Sequence, residues 1–387
     1  MKNKTVLLTI IVLLFMTSGI TMALPPNILD FSFAKYIRRM EKLFHDKVVH
    51  VCIVKKDGMI FPSAIVFESK IVFLDDNGNQ TSEQVFGPLM ETRVTESVDG
   101  NYIYVFGAFK DRPGGINRIY SHDGKVLLEK DSSDRIGIKG LGIPVEGKKF
   151  LVLAKDGELS LTNFKGDVIA NKKILDKEKG EDGDIEVAAT QDGNKIFAGA
   201  NRLILPPADN KQLPILYSFD SNLNILSQDS SSFLMILDLQ CTPNGKFLVI
   251  KAEADGNRSP LVITDSGYRP LLSLENAHSV KFSADNNYLI YEPRVGPPNI
   301  ISCSNWQVFY QPAISNDYPW LDTDISDDGS KAFLFNGVEI LIIDSQKKEW
   351  HSASFPYSFM NCRISGNSHR LILMGEFGFV VYDIVTK

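Results

Sequence analysis

A turn dipeptide recurs along this sequence at a nearly constant interval, and it constrains the fold more than any other feature. Its first residue is Asp, Asn or Glu, and its second is Gly, Asn or Ser. The eight dipeptides begin at positions 57, 99, 146, 192, 244, 285, 328 and 367. Positions 57 to 367 hold seven intervals of about 44 residues each. A repeat of that length indicates one structural unit used many times.

Each dipeptide separates two short runs of apolar, aromatic and β-branched residues. The run after the turn is, for example, YIYVF from Tyr102, FLVIK from Phe247 and LILMG from Leu371. A third run then ends at another polar turn, as in IVFLDDNG (71–78) and LVITDSG (261–267). Asp/Asn-Gly supplies the positive φ of tight hairpins. Four strands of about six residues with four links of about five account for about 44 residues, so each repeat has the length of one four-stranded sheet. A single sheet of this size cannot bury its two faces alone and needs neighbouring repeats to do so.

The turns also share a residue pattern. The position two residues before the dipeptide is usually Ser or Thr, which produces SVDG (97–100), SADN (283–286) and SDDG (326–329). This S-x-D-G turn ahead of a hydrophobic strand resembles the repeats of the WD-repeat-like and TolB-type β-propeller family. The resemblance covers about 48–387 and implies an all-β fold, but it specifies no activity, and the WD dipeptide itself is absent.

Eight turns predict a single β-propeller of eight four-stranded blades. Seven blades are the alternative, in which the poorly matched first repeat is used in closing the ring. Because the last repeat stops at Lys387, after its third strand (379–384), we expect an N-terminal strand to complete it. Ile28 to Phe33 is the nearest apolar segment. Phe31 to Lys47 has apolar residues at helical spacing and predicts one short amphipathic helix, packed on the ring or free for a partner helix or membrane surface.

Residues 1–23 have the composition of a secretory signal peptide. Two lysines precede an apolar run over 6–16, and Thr-Met-Ala at 21–23 offers small residues at the −3 and −1 positions. We therefore expect cleavage after this leader, a lead-in over 24–47 and a propeller over 48–387, in a periplasmic or secreted protein. An uncleaved anchor is the alternative, since the apolar stretch is nearly long enough to span a bilayer.

Two of the four cysteines have matching positions. Cys52 and Cys362 each lie five residues before their turn, in the first and last repeats, which are neighbours in an eight-bladed ring. In an oxidising compartment this suggests a disulfide across the closure. The alternative is a pair of buried free thiols, because a bridge requires Cα atoms within about 7 Å. Cys241 and Cys303 have no such match and are predicted to lie in the core.

Motifs of common catalytic sites are missing from the sequence. It contains no G-x-S-x-G, H-E-x-x-H, P-loop or C-x-x-C motif. The six histidines show no pair at ligand spacing, so we predict no catalytic residue, no metal site and no cofactor. Acidic segments such as DDNGN (75–79) and DSNLN (220–224) have oxygen ligands suited to calcium. Hairpin turns use the same residues, however, and no complete calcium loop follows.

In a propeller, the links between second and third strands and the links between blades emerge on one common face, and in this sequence they are the longest links. Here these links contain Arg112, Arg202, Arg258, Arg294, Tyr318 and Trp320. Arg, Tyr and Trp are typical of interaction hot spots, and the nearby prolines stiffen the loops. This predicts a binding face. The alternative is a set of solvated loops in which Trp320 fills a gap between blades.

These features together favour an exported, non-catalytic, monomeric propeller that acts as a protein–protein interaction or recognition scaffold in the cell envelope. The net charge of −6 argues against nucleic acid as the partner. The rival class is a propeller enzyme, such as a lactonase or lyase, or a ligand-binding propeller with its site in the central channel. Converging His, Glu and Asp at the channel mouth would favour catalysis, whereas an apolar or Arg and aromatic rim would favour recognition.

Overall fold

The computed structural model describes residues 28–30 and 34–386, except for the segments 131–139, 156, 177–180, 202, 205–213, 231–232, 254–259, 276, 294–295, 315–321, 337–338 and 355–359. Within these residues every regular element is a β-strand. The strands form eight antiparallel blades, and the first strands of neighbouring blades contact one another around a central channel. The all-β propeller with eight blades is confirmed, and the seven-bladed alternative is not what the chain adopts.

Each blade uses its strands in the order first to fourth from the channel outward. The first strands are β3 (Val48–Lys56), β7 (Leu89–Glu96), β11 (Gly140–Val145), β16 (Ile185–Ala189), β21 (Met235–Cys241), β25 (Ala277–Phe282), β29 (Asp322–Ile325) and β33 (Asn361–Ile364). The second strands are β4 (Met59–Phe67), β8 (Tyr102–Phe109), β12 (Phe150–Lys155), β17 (Ile196–Ala200), β22 (Phe247–Glu253), β26 (Tyr288–Pro293), β30 (Lys331–Phe335) and β34 (Arg370–Gly375).

The two outer strands of each blade follow. The third strands are β5 (Lys70–Leu74), β9 (Gly115–Ser121), β13 (Glu158–Asn163), β19 (Ile215–Phe219), β23 (Leu261–Asp265), β27 (Asn299–Ser302), β31 (Glu339–Asp344) and β35 (Gly378–Thr386). The fourth strands of blades 1 to 7 are β6 (Gln80–Val85), β10 (Val126–Glu129), β14 (Val168–Lys173), β20 (Ile225–Ser230), β24 (Pro270–Leu274), β28 (Gln307–Tyr310) and β32 (Glu349–Ser354). A two-stranded pair, β15 (Glu181–Asp182) with β18 (Leu203–Ile204), extends blade 4.

The N-terminal segment closes the ring, as expected, but with different residues. The fourth strand of blade 8 is β2 (Ala34–Leu43), which pairs antiparallel with β35, while β1 (Ile28–Asp30) pairs only with β2 as a fifth strand. The predicted helix over 31–47 is therefore wrong where the structure describes it. The free edge of β35 offers a full ladder of main-chain hydrogen bonds, and satisfying that edge outweighs a helical spacing of apolar residues.

The core is divided among the junctions between blades. Among the described residues, buried apolar side chains form eight clusters, and each cluster joins two neighbouring blades, including blades 8 and 1. The 8–1 cluster contains Ile60 and Phe67 of blade 1 with Phe379 of blade 8. Because every blade buries both faces against its neighbours, the ring is one cooperative core rather than a row of separate sheets.

The S-x-D-G turns are held by a repeated set of hydrogen bonds. In blade 7, the Ser326 hydroxyl donates to Asp328 at 2.8 Å and accepts from the Lys331 amide at 3.0 Å. Blades 4, 5, 6 and 8 make the same two bonds. This explains the preference for Ser or Thr two residues before the dipeptide, since a short hydroxyl side chain reaches both groups.

The same turns are also linked around the ring. Main-chain hydrogen bonds join neighbouring turns from Lys55 to Asp99, Gly147 to Gln191, Gln191 to Pro243, Asp285 to Asp327, Asp327 to Gly366, and Asn367 to Gly58. Gly100 shows why glycine follows the acidic residue. Its φ is +73°, and a Cβ there would lie 1.7 Å from the Ile53 carbonyl oxygen of the preceding blade.

Candidate functional site

The first strands all run in the same direction through the ring. Each begins where the chain arrives from the previous blade and ends at its S-x-D-G turn. The beginnings of the first strands therefore lie on one face, together with the links between second and third strands, and we call this the upper face. The mouth of the channel at this face is formed by the first residues of the eight first strands.

Four first strands contain a β-bulge at this mouth. The pairing register shifts between Val48 and His50, between Leu89 and Glu91, between Ile236 and Asp238, and between Ala277 and Ser279. The extra residues are Val49, Met90, Leu237 and His278. A bulge adds one residue to one strand and redirects a side chain, and bulges are common next to functional sites.

The bulges change which side chains face water. In blade 2, Leu89 is 2% exposed and packs in the core, while the adjacent Met90 is 68% exposed. Val49 and Leu237 are exposed in the same way, after the buried Val48 and Ile236. Alternation alone would place one residue of each pair on each side of the strand. The extra residue instead turns out of the ladder, so an apolar side chain lies at the mouth in each of these three blades.

Further exposed apolar residues lie nearby on the upper face. Leu234 and Met360 directly precede β21 and β33, and Phe377 lies in the link between β34 and β35. Together with Val49, Met90 and Leu237 they form what we call the apolar rim. Exposed apolar side chains that recur around one opening are typical of a contact surface, whereas scattered single ones are not.

Below the rim, the channel holds a cavity of about 440 Å³ lined by first-strand residues of six blades. The charged and polar side chains in its wall include His50, Glu96, Gln240, Lys281, Asp324 and Arg363. The channel interior is therefore polar, and the rim above it is apolar.

Carboxylates of the first strand of blade 7 bind main-chain amides of the neighbouring blade. Asp322 Oδ2 accepts from the Cys362 amide at 3.0 Å and from Arg363 Nη1 at 2.9 Å, and Asp324 Oδ2 accepts from the Ile364 amide at 2.9 Å. Burial raises the pKa of Asp324, although Arg363 and Lys281 oppose the shift. These bonds attach blade 7 to blade 8, so the carboxylates here have a structural task.

Blades 1 and 2 are joined in a similar way by Glu96. Its Oε2 accepts from the Ile53 amide at 2.8 Å, and its Oε1 lies 2.7 Å from His50 Nε2. Both side chains are mostly buried, with 20% of Glu96 and 33% of His50 exposed. His50 and Glu96 therefore form an ion pair or hydrogen bond at the inner end of the junction, according to the protonation of the imidazole.

Glu186 on β16 differs from these carboxylates. Burial raises its pKa to about 7, the carboxylates of Asp238 and Asp184 act in the same direction, and Arg93 opposes them. The side chain is half-buried. A carboxyl group that changes charge near neutral pH is the kind of group that general acid–base chemistry uses, but structural acidic clusters shift in the same way.

The structure describes one of the six predicted binding residues. Arg112 is exposed on the upper face, in the link between β8 and β9, and its guanidinium lies 4.0 Å from the centre of the Phe109 ring. Arg202, Arg258, Arg294, Tyr318 and Trp320 lie outside the described residues. The binding role of these six side chains stays a prediction.

The sequence pattern alone does not reveal the apolar rim, because apolar residues inside a strand are most often buried in the core. The sequence nevertheless contains one sign of the rim. Three first strands have two consecutive apolar residues at or next to their first position, which breaks the alternation of a half-buried strand: Val48-Val49, Leu89-Met90 and Ile236-Leu237. Such a doubled residue at the same end of several repeats marks a recurring bulge.

All four cysteines are free thiols in the structure. Cys52 belongs to the cluster between blades 1 and 2, and Cys362 to the cluster between blades 7 and 8. Cys52 thus faces blade 2 and Cys362 faces blade 7, so equal spacing from the turn does not bring the two thiols together. The structure therefore corresponds to the alternative given above, in which Cys52 and Cys362 are buried free thiols. Titration of the thiols in the unfolded, unreduced protein tests the disulfide directly.

The acidic turns considered for calcium use their oxygens within the turn. Asp75 Oδ1 accepts from the amides of Asn77 and Asn79, and Asp75 Oδ2 accepts from the Asn79 side chain. Asp220 makes the same three bonds with Asn222 and Asn224. These contacts lower the pKa of both carboxyls, mainly through the hydrogen bonds from Asn79 and Asn224. They are the contacts that hairpin turns use.

Comparison with solved structures places this architecture in a known fold class. The C-terminal WD40 domain of Sif2 has a TM-score of 0.60 and 14% identity, covering 90% of this chain and 98% of that chain. The Dos1 propeller has a TM-score of 0.55 and 11% identity, covering 89% and 96%. A structure of the eukaryotic initiation factor has a TM-score of 0.55 and 14% identity, covering 91% and 84%.

At such identities the likeness concerns the fold alone. Searches with family models and against curated proteins found no match. The chain thus has the fold of a WD40-type β-propeller, and the resemblance to WD-repeat-like propellers is confirmed at that level. In the described part of the chain, no helix has the length and apolar character needed to cross a membrane.

Proposed function

We propose that this chain is an exported, non-catalytic β-propeller that recognises a protein in the cell envelope through the apolar rim of its upper face. The observation that carries the proposal is the set of bulges that turn Val49, Met90 and Leu237 outward at the channel mouth. WD40 propellers are commonly interaction scaffolds. Export rests on the leader-like composition of residues 1–23.

The chemistry of the rim suits a protein partner. Met is enriched in protein interfaces and adapts its shape to the surface it meets. Burying an exposed apolar side chain contributes roughly 1.5–3 kcal/mol. Two such residues, Met90 and Leu237, can therefore supply a substantial share of the affinity of an ordinary interface. Arg112, exposed on the same face, would add a polar contact at the edge of the surface.

The channel supports a non-catalytic assignment. Asp322 and Asp324 accept hydrogen bonds from main-chain amides of the adjacent blade, which fixes them as structural groups. A catalytic carboxylate must instead be available to the reacting atoms. Glu186 is the observation that favours the rival, a channel that binds or converts a small ligand, because its carboxyl changes charge near pH 7.

A double variant of the rim tests the proposal. Met90→Asp with Leu237→Asp introduces two charges into the surface, while leaving the buried Leu89 and Ile236 in place. The matched control is Val168→Asp with Val308→Asp, because these side chains are equally apolar and exposed but lie on the outermost strands of blades 3 and 6. Both doubles should melt near the wild-type temperature, as exposed substitutions do.

The measurement is quantitative capture of envelope proteins by wild type and by each double variant. We expect the rim variant to lose the partners that wild type captures, by at least about 30-fold, which corresponds to about 2 kcal/mol at a hot spot. The control should keep them. Equal capture by rim variant and wild type would overturn the proposal, and so would equal loss in the control. Loss of capture in Glu186→Gln alone would favour the channel alternative.

A further inference from the structure

Three metal-ligating side chains come together where blades 1 and 2 meet. His50 and Cys52 lie two residues apart on β3, and Glu96 is the last residue of β7. Residues at i and i+2 of a strand point to the same side. One ligand atom from each residue lies within 4.8 Å of the other two. These atoms are one imidazole nitrogen, one sulfur and one carboxylate oxygen.

The geometry is close to what a tetrahedral cation needs. Zn–S bonds of about 2.3 Å and Zn–N and Zn–O bonds of about 2.0–2.2 Å place ligand atoms roughly 3.2–3.7 Å apart. Here His50 Nε2 and Glu96 Oε1 are 2.7 Å apart, and no separation among the three exceeds 4.8 Å. An ion there requires the His50 and Glu96 atoms to move apart by roughly 0.5–1 Å and the longest of the three separations to shorten by no more than roughly 1.6 Å.

Glu96 is already oriented for such a role. Its Oε2 is held by the Ile53 amide at 2.8 Å, so Oε1 is directed at His50 and remains available as a ligand atom. Hydrogen bonds of this kind orient metal-binding carboxylates.

We propose that His50, Cys52 and Glu96 form a binding site for a zinc-class divalent cation at the junction of the first two blades. A donor set of nitrogen, sulfur and carboxylate oxygen selects zinc-class metals rather than calcium or magnesium. Binding exchanges the thiol proton of Cys52 for the cation, with the proton released to solvent. The three ligands leave a fourth coordination position, and His50 and Glu96 line the channel cavity, so that position is open to water or a small ligand.

Cys362 provides a matched control within the same chain. Like Cys52, it lies on a first strand, is fully buried and precedes its turn by five residues. Its main-chain amide bonds to Asp322, and no histidine completes a ligand set around it among the described residues. A Ser substitution there removes an equivalent buried thiol without touching the proposed site.

The test uses the full chain with a tag that contains no histidine, stripped of metal by a chelator and titrated with Co²⁺. We expect one equivalent to bind and to produce the near-ultraviolet charge-transfer absorption of a thiolate–cobalt bond, which Zn²⁺ then removes by competition. Cys52→Ser should lose this absorption, and Cys362→Ser should keep it. His50→Gln, which changes a partly exposed side chain, should weaken Co²⁺ binding at least about tenfold while the thermal midpoint of the apoprotein stays near wild type.

Absence of the charge-transfer absorption in the wild type would overturn the proposal. Its persistence in Cys52→Ser, or its loss in Cys362→Ser, would do the same. If Cys52→Ser fails to fold, His50→Gln decides the question, because unchanged Co²⁺ affinity in that variant contradicts the site. None of these readouts depends on a protein partner, so the result is independent of the recognition function.

Discussion

Replacing Asp322 by Ala tests whether the charged lining of the channel is structural. Asp322 Oδ2 accepts from the Cys362 amide and from Arg363, and both belong to the next blade. The variant would leave a buried amide and a guanidinium without this acceptor. Removing one partner of a fully buried pair costs about 3–5 kcal/mol. Arg363 is 30% exposed and stays near Asp324, so we expect about 2–3 kcal/mol.

The assay is thermal unfolding of the purified protein, read by circular dichroism. At about 2 °C per kcal/mol for a chain of this size, the midpoint should fall by about 4–6 °C. Asp322→Asn should fall by less, because its amide oxygen can still accept from the Cys362 amide. Asp76→Ala, at an exposed surface pair, should stay near wild type. A wild-type midpoint for Asp322→Ala, together with lost partner capture, would refute the structural role and indicate a binding role.

Three further predictions follow from buried groups. Burial raises the pKa of Glu292 from 4.5 to about 7, so the folded protein holds this proton more strongly, and wild-type stability should fall as the pH rises through that range. Glu292→Gln should remove this part of the pH dependence in urea unfolding at pH 5 and pH 8, and an unchanged dependence would contradict the assignment. Gly100→Ala should lower the melting temperature more than Gly87→Ala, because both glycines have positive φ but only a Cβ at position 100 would meet the Ile53 carbonyl. Equal losses of melting temperature would show that the positive φ alone destabilises both variants and would contradict the contact with Ile53. Thiol titration of the unfolded, unreduced protein should find four free thiols, and two would establish the disulfide.

The repeat architecture could be predicted because its cause is local. Each S-x-D-G turn is fixed by bonds between residues no more than five positions apart, as in Ser326 with Asp328 and Lys331. Because the bonds are local, the same turn residues recur in the sequence at a regular interval. The number of these turns gives the number of blades, and the eight junction clusters agree with it.

The closing strand could not be predicted from its own residues. Ala34–Leu43 has apolar residues at helical spacing, but its conformation is decided by β35, which lies more than 300 residues away and presents an unpaired edge. Tertiary pairing of this kind overrides local preference. An N-terminal strand closes the ring, as the position of the last repeat predicts, but this strand is Ala34–Leu43 and not the predicted segment over 28–33.

The proposed sites were hidden for the same reason. His50 and Glu96 are separated by 46 residues and meet only because neighbouring blades pack together. The rim residues Val49, Met90 and Leu237 look like core until the bulges are known. Register shifts depend on the partner strand as well as on the strand itself, so a single run of residues shows them only as a doubled apolar position.

Site-specific photo-crosslinking at the apolar rim tests the central claim most directly. A benzophenone amino acid at Met90, at Leu237 or, as the control, at Val168 is activated in envelope preparations that contain the full-length protein. We expect covalent adducts with the same protein from Met90 and Leu237 and none from Val168. Adducts that form only from Val168, or an absence of adducts from both rim positions, would contradict recognition through the upper face.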